Sequence, residues 1–256
     1  MVEPGRWTAP LRRSTTPPTR RVVVVPHAGS GPSALRALWD ALPADVEVLG
    51  VTLPGRERRA RERCDTTPSD PVGVVRAVLG ELAALPPLPT ALLGHSLGAA
   101  LAGVLAATAG GFTGVLLSSP PAPGTPARCA GRFTDAELME LLRRGGAVPE
   151  AVLAEVARQP ALLGVLRSDL TLAARLGHVD AARPVRAPMV LLAGAGDEVA
   201  LPEGLDFWAD RAAGGVRRLV LPGGHFHLLD PANRAAVLAE VQRVLPQAPG
   251  GAGQAA

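Results

Sequence analysis

The pentapeptide Gly94-His95-Ser96-Leu97-Gly98 constrains this chain more than any other stretch. It fits the pattern G-x-S-x-G and lies between an apolar run, residues 90–93, and a small-residue stretch of helical character, residues 99–109. A strand that turns directly into a helix forces the central serine into a strained backbone conformation and lifts its hydroxyl above the sheet. Glycines two residues to either side remove the Cβ atoms that would collide there. The helix that follows aims its free N–H groups and positive end at the place where an oxyanion would form. In a chain with 29 glycines, roughly 0.1 matches to the pattern arise by chance. Its meaning therefore comes from its surroundings.

Those surroundings alternate. Short apolar, β-branched runs at residues 22–25, 46–53, 91–93, 114–117, 189–193 and 216–221 read as strands. Helical spacing of apolar residues falls between them at 33–42, 70–84, 202–213 and 231–244. The alternation predicts an α/β fold, a mainly parallel sheet with helices on both faces. Residues 120–188 break the rhythm. A proline-rich opening leads to three helical patterns, near 134–146 with a capping box at Thr134-Asp-Ala-Glu137, near 150–158, and near 161–176. An insertion this long predicts a helical lid. The expected organisation is a flexible segment at 1–20, a core formed by 21–119 and 189–246, the lid at 120–188, and a disordered tail at 247–256.

A length of 256 residues with 47% hydrophobic content suits one domain carrying an insertion. Cys64 and Cys129 match neither a metal spacing nor a disulfide framework, which points to a reducing cytoplasm. The polar N-terminal stretch has no apolar core of the secretory kind, and no run of 18 apolar residues predicts a membrane span. All 26 basic residues are arginine, but the net charge is only +3 and Tyr is absent, so the high pI gives little reason to expect nucleic acid as a partner.

Two further residues stand where a catalytic triad needs them. Asp197 follows the strand 189–193 within Gly194-Ala195-Gly196-Asp197, and His225 follows the strand 216–221 within Leu221-Pro-Gly-Gly-His225. Loops at the carboxyl ends of parallel strands share one edge of the sheet, so Ser96, Asp197 and His225 can converge. Their order along the chain is that of α/β-hydrolase triads. Ser96 is the expected nucleophile, His225 the base that takes its proton, and Asp197 the group that holds the imidazole and stabilises its charged form. His227 and Glu198 are the neighbouring alternatives to base and acid. The oxyanion hole is expected from the backbone N–H groups of Leu97 and of Ala28, which lies in Pro26-His27-Ala28-Gly29-Ser30-Gly31 after the first core strand. His27 reads as a loop-ordering residue.

The chain resembles the type II thioesterases, the free-standing editing hydrolases of polyketide and nonribosomal peptide assembly lines. The resemblance rests on Val25-Pro-His-Ala-Gly29, Leu53-Pro-Gly-Arg-Glu57, Gly94-His-Ser-Leu-Gly98, Gly194-Ala-Gly-Asp197 and Pro222-Gly-Gly-His-Phe226. It implies an α/β-hydrolase fold with a helical lid. It also implies hydrolysis of misloaded acyl groups from the phosphopantetheine arm of acyl or peptidyl carrier proteins, by a monomer with no cofactor and no metal of its own. The chain departs from the family at Ser119-Pro120, where a Gly-Arg pair is common, and at Val199-Ala200, where a Pro is common. Arg56, Arg58, Arg59, Arg61 and Arg63 read as a basic rim that could steer an acidic carrier protein or form an ordinary solvated loop. A carboxylesterase or lipase using the same residues, or a non-catalytic receptor on the same fold, are the competing readings.

Overall fold

Residues 22–25 are valines whose side chains are all fully buried, because helices cover both faces of the strand that carries them. That strand, β2 (Arg20–Val25), lies inside a seven-stranded sheet of order β1-β3-β2-β4-β5-β6-β7. Its companions are β1 (Thr8–Arg12), β3 (Val46–Val51), β4 (Thr90–His95), β5 (Phe112–Ser118), β6 (Met189–Gly194) and β7 (Val216–Leu221). β2 to β7 pair in parallel, and β1 runs antiparallel to β3. This computed structural model describes residues 5–65, 70–122, 133–146, 148–179 and 183–246, with Glu203 described by its backbone alone. The expected tail at 247–256 and Cys129 lie outside the described residues.

Side-chain alternation along the strands divides the core into two layers. Val23 and Val25 meet α1 (Pro71–Ala83), α2 (Leu97–Thr108) and α6 (Leu205–Ala209) on one face. Val22 and Val24 meet Leu35, Leu38 and Trp39 together with α7 (Arg234–Val244) on the other. Helix α1 starts where its caps dictate: the Asp70 side chain accepts from the Gly73 N–H, and Pro71 stands in the first turn. The helix expected at 33–42 is a 3-10 helix, Pro32–Trp39. The helices expected at 202–213 and 231–244 each begin with a 3-10 turn, Pro202–Gly204 and Pro231–Asn233, before α6 and α7 proper.

The segment 1–20, expected to be flexible, contributes the edge strand β1, paired with β3 from Thr8 against Val51 to Arg12 against Val48 with a register shift between Pro10 and Arg12. The contacts that hold it are long-range. The Trp7 and Thr8 N–H groups donate to the Glu81 carboxylate at 2.8 and 2.9 Å, and the Arg59 guanidinium lies 4.1 Å from the centre of the Trp7 ring. Pro10 is tolerated because an outer strand needs no second row of donors.

Between β5 and β6 stand α3 (Asp135–Gly145), α4 (Glu150–Ala157) and α5 (Pro160–Leu176). The Thr134–Glu137 capping box is formed in both directions, and Gly146 ends α3 in the left-handed conformation. Leu138, Met139, Leu153, Leu163 and Leu166 make a small core of their own. Leu172 and Leu176, in the second half of α5, belong to the main core instead.

Candidate active site

Ser96 stands between β4 and α2 with φ 55° and ψ −117°, a conformation that side chains rarely hold. A Cβ at residue 94 would lie 2.0 Å from the Gly98 carbonyl oxygen, and one at residue 98 would lie 2.0 Å from that of Val25. Neither clash could be relieved without moving the backbone, so both glycines are required by the turn. The Ser96 N–H donates to the Ser118 carbonyl at 2.9 Å, fixing the turn to the end of β5. Ser96 is half-buried and lines a cavity of about 410 Å³ together with Leu97 and His225. Phe133, Leu141, Leu170 and Trp208 supply much of its apolar wall, and among the described residues its lining carries no carboxylate or guanidinium.

Asp197 and His225 meet across two loops that can touch because residue 194 has no side chain: a Cβ there would lie 2.2 Å from the Gly224 carbonyl oxygen. The distance from His225 Nδ1 to Asp197 Oδ2 is 2.9 Å, and to Oδ1 3.1 Å. Asp197 also accepts from Ser119 Oγ at 2.6 Å and from the Val199 and Ala200 N–H groups at 2.8 Å each. Burial pushes this carboxyl up, but the hydrogen bond and charge of His225, with the Ser119 and Ala200 donors, hold it below its ordinary value. The arrangement leaves Nε2 of His225 for the cavity that Ser96 lines. Among the described residues Ser96 Oγ makes no hydrogen bond with His225, a gap that unliganded hydrolases close when substrate arrives.

The neighbouring alternatives are occupied elsewhere. Glu198 is exposed, and its carbonyl accepts from Arg144. His227 is buried, with Nδ1 3.3 Å from the Gly224 carbonyl and Nε2 3.2 Å from Ser118 Oγ. A carbonyl only accepts, so Nδ1 carries the proton and Nε2 receives the Ser118 hydroxyl proton. Ser118 Oγ and its carbonyl then accept from His95 Nδ1 at 3.1 and 3.2 Å. This chain ties the serine turn to the loop that carries His225.

His27 joins the same group, with its ring 4.9 Å from Phe226 and 5.6 Å from His95. Burial, then the nearby His225 and Arg56, lower its pKa to about 4. Burial likewise holds His95 well below, and His227 below, the ordinary imidazole value. None of the three shares a contact with Asp197 of the kind His225 makes.

Leu97 opens α2 beside the cavity. Ala28 lies between the main core and the small core of the insertion, touching both. The N–H of its neighbour Gly29 donates to Asp169 Oδ2 at 2.7 Å. Three residues assigned no role in catalysis from the sequence thus hold the site: Ser118, Ser119 and Asp169. Ser119 carried a signal, since it stands where the family commonly has the glycine of a Gly-Arg pair, and the structure holds it at φ 46°, where glycine is the easier choice. Asp169 carried none, because its partners are more than a hundred positions away.

The structure divides the basic rim into buried and exposed arginines. Arg56 is buried and pairs with Asp169 through both terminal nitrogens. Arg59 is buried between Trp7, the Thr52 carbonyl and Glu62. Arg58 donates to the Gly5 and Thr8 carbonyls, and Arg63 pairs with Asp65. Arg56 and Arg59 are thus spent on internal contacts, while Arg58, Arg61 and Arg63 are exposed. Among the described residues no group of His, Cys, Asp and Glu could hold a metal ion, and no helix is long and apolar enough to cross a membrane.

A strained serine on a strand–helix elbow, an Asp–His pair on the next two carboxyl-end loops and this strand order define an α/β-hydrolase fold. Comparison with known proteins narrows the class. The chain belongs to the thioesterase domain family, which matches residues 20–245. It is 32% identical over 248 residues to the AMB antimetabolite synthetase AmbE of Pseudomonas aeruginosa, covering 94% of this chain but only 11% of that protein. Among solved structures it resembles RedJ, a thioesterase from the prodiginine biosynthetic pathway of Streptomyces coelicolor. The TM-score is 0.75 at 31% identity, over 91% of this chain and 95% of that one. It also resembles BorB, the type II thioesterase from the borrelidin biosynthetic cluster, with a TM-score of 0.73 at 27% identity, over 96% and 100% of the two chains.

Proposed function

We propose that this chain is a type II, editing thioesterase that releases acyl groups from the phosphopantetheine arm of carrier proteins. His225 takes the Ser96 hydroxyl proton as Ser96 Oγ attacks the thioester carbonyl. The tetrahedral oxyanion is held by the Leu97 and Ala28 N–H groups. The intermediate collapses, the C–S bond breaks, and the imidazolium returns the proton to the departing thiolate. Water, deprotonated by His225, then attacks the acyl-serine, and the free acid leaves with Ser96 restored. Asp197 holds the imidazole throughout. No cofactor takes part, since the arm belongs to the carrier protein, and the reaction suits a cytoplasmic enzyme.

One observation carries the reading: His225, paired with Asp197, lines the same largely apolar cavity as Ser96, in a chain of the thioesterase domain family. That lining favours uncharged acyl groups. The likeness to BorB, a type II thioesterase, supports the editing role. The test is hydrolysis of an acyl-loaded carrier protein, of the same acyl group on a short pantetheine, and of its oxygen ester. The expected order of kcat/KM is as written. Ser96→Ala is expected to lose at least ~10³-fold in turnover with its fold intact. A parent enzyme that prefers the oxygen ester would make this an esterase instead.

A further inference from the structure

Residues His27 to Ser30 form a turn closed by the Ser30 N–H on the His27 carbonyl at 3.3 Å, with Gly29 at φ +79° in its third position. A turn of this kind and its commoner relative differ by a half-rotation of the central peptide, here the one joining Ala28 to Gly29. Glycine permits both, so the sequence of the turn does not choose between them.

Asp169 makes the choice. Its fully buried carboxylate reaches out of α5 and accepts the N–H of that central peptide at 2.7 Å. A flipped peptide would turn the Ala28 carbonyl oxygen toward the same carboxylate, oxygen against oxygen. The carboxylate is held in turn by Arg56, with Nη1 at 2.5 Å from Oδ2 and Nη2 at 2.7 Å from Oδ1. Arg56 also donates to the Ser30 carbonyl at 3.2 Å and to the Pro54 carbonyl at 3.1 Å. All the partners are closed off from solvent except the turn itself. Buried ion pairs of this kind are no more stabilising than apolar side chains of the same volume, and they are best understood by the geometry they impose.

We propose that Asp169 is a positioning residue for the oxyanion site: from the insertion, it holds the His27–Ser30 turn in the form seen here, and so fixes the backbone that carries Ala28. This rests on the thioesterase reading given above. It follows that α5 is a fixed wall of the site and not a part that swings away between turnovers.

The decisive variant is Asp169→Leu combined with Arg56→Met, which removes both charges together and leaves no lone buried ion. Its kcat on an acyl-pantetheine is expected to fall ~10²-fold, the scale of losing one oxyanion donor, with KM changed less than about threefold. Its Ki for a trifluoromethyl ketone, which Ser96 converts to a tetrahedral adduct, is expected to rise in step with the loss in kcat/KM. In a Ser96→Ala background, the same pair of changes is expected to leave the affinity for an uncleaved acyl-pantetheine unaltered. Arg56→Lys, which keeps a cation beside Asp169, is expected to keep most of the kcat that Arg56→Met loses.

If the double variant does not fold, Asp169→Asn and Arg56→Lys are compared on the same four readouts. Parent-like kcat in a folded variant without the carboxylate would overturn the proposal. So would a loss of ground-state affinity with the ketone unaffected. A p-nitrophenyl acyl ester is run in parallel. If the parent cleaves the ester but not the thioester, the thioesterase reading fails, while the effect of Asp169 is still read on the ester.

Discussion

Ser119 holds its backbone at φ 46° and gives its hydroxyl proton to Asp197 at 2.6 Å. Glycine would relieve the strain but would remove a donor from the carboxylate. Alanine would remove the donor and keep the strain, which costs about 1 kcal/mol or more in a side chain held there. Both variants are expected to lose about tenfold in kcat/KM, because Asp197 keeps its other partners but is less firmly held. Only Ser119→Ala is expected to lower the thermal midpoint appreciably, and a melting curve beside an activity assay separates the two effects. Equal activity in all three proteins would mean that the other donors alone fix the acid. At this scale the sequence was legible where chemistry leaves a spaced pattern: Ser96, Asp197 and His225 each follow a strand within a glycine-marked turn. Ser118 and Asp169 carry no such mark, since their partners come from elements far away in the chain.

Elements whose ends are set by neighbouring residues were read closely. The Asp70 cap of α1 and the capping box of α3 are local chemistry and placed both helices to within a few residues. β1 could not be read this way, because Glu81, Arg59 and the edge of β3 hold it in place. The three helices of the insertion differ in the same respect. Helix α4 buries only Leu153, against the small outer core. Helix α5 reaches both cores and carries the Asp169–Arg56 pair. Local opening is governed by such buried contacts. Amides of α4 are therefore expected to exchange with deuterium faster than those in the second half of α5. A bound acyl-pantetheine analogue is expected to slow exchange in α3 and α4 more than in α5. Rapid exchange throughout α5 in the unliganded protein would contradict its role as a fixed wall.

Across the whole molecule, His27, His95, His225 and His227 gather around Phe226 and the serine turn, with ring centres 4.9–6.1 Å apart for the pairs in contact. Burial keeps His27 neutral down to a pKa of about 4, against an ordinary value of 6.5, and depresses His95 and His227 in the same direction. In the unfolded chain these imidazoles take up protons near pH 6.5. In the folded protein His27 stays neutral until the pH nears 4, and burial delays His95 and His227 in the same direction, so the unfolded state binds more protons below pH 6.5. Stability is therefore full above about pH 6.5 and falls as the pH drops towards 4. Unfolding at pH 5 is expected to take up protons at this cluster, about one of them at His27, and His27→Gln is expected to remove that one. Urea titrations at pH 7, 6 and 5 would measure both, and a stability flat over that range would refute the account. The join between insertion and core also bears on how such enzymes can be recombined. A cut at residues 120 and 188 looks like a clean seam, yet a transplanted insertion would arrive without the acid that meets Arg56 and the Gly29 peptide. A chimera of this enzyme would then fold around a mis-set turn, unless its designer carried over one aspartate from the original helix.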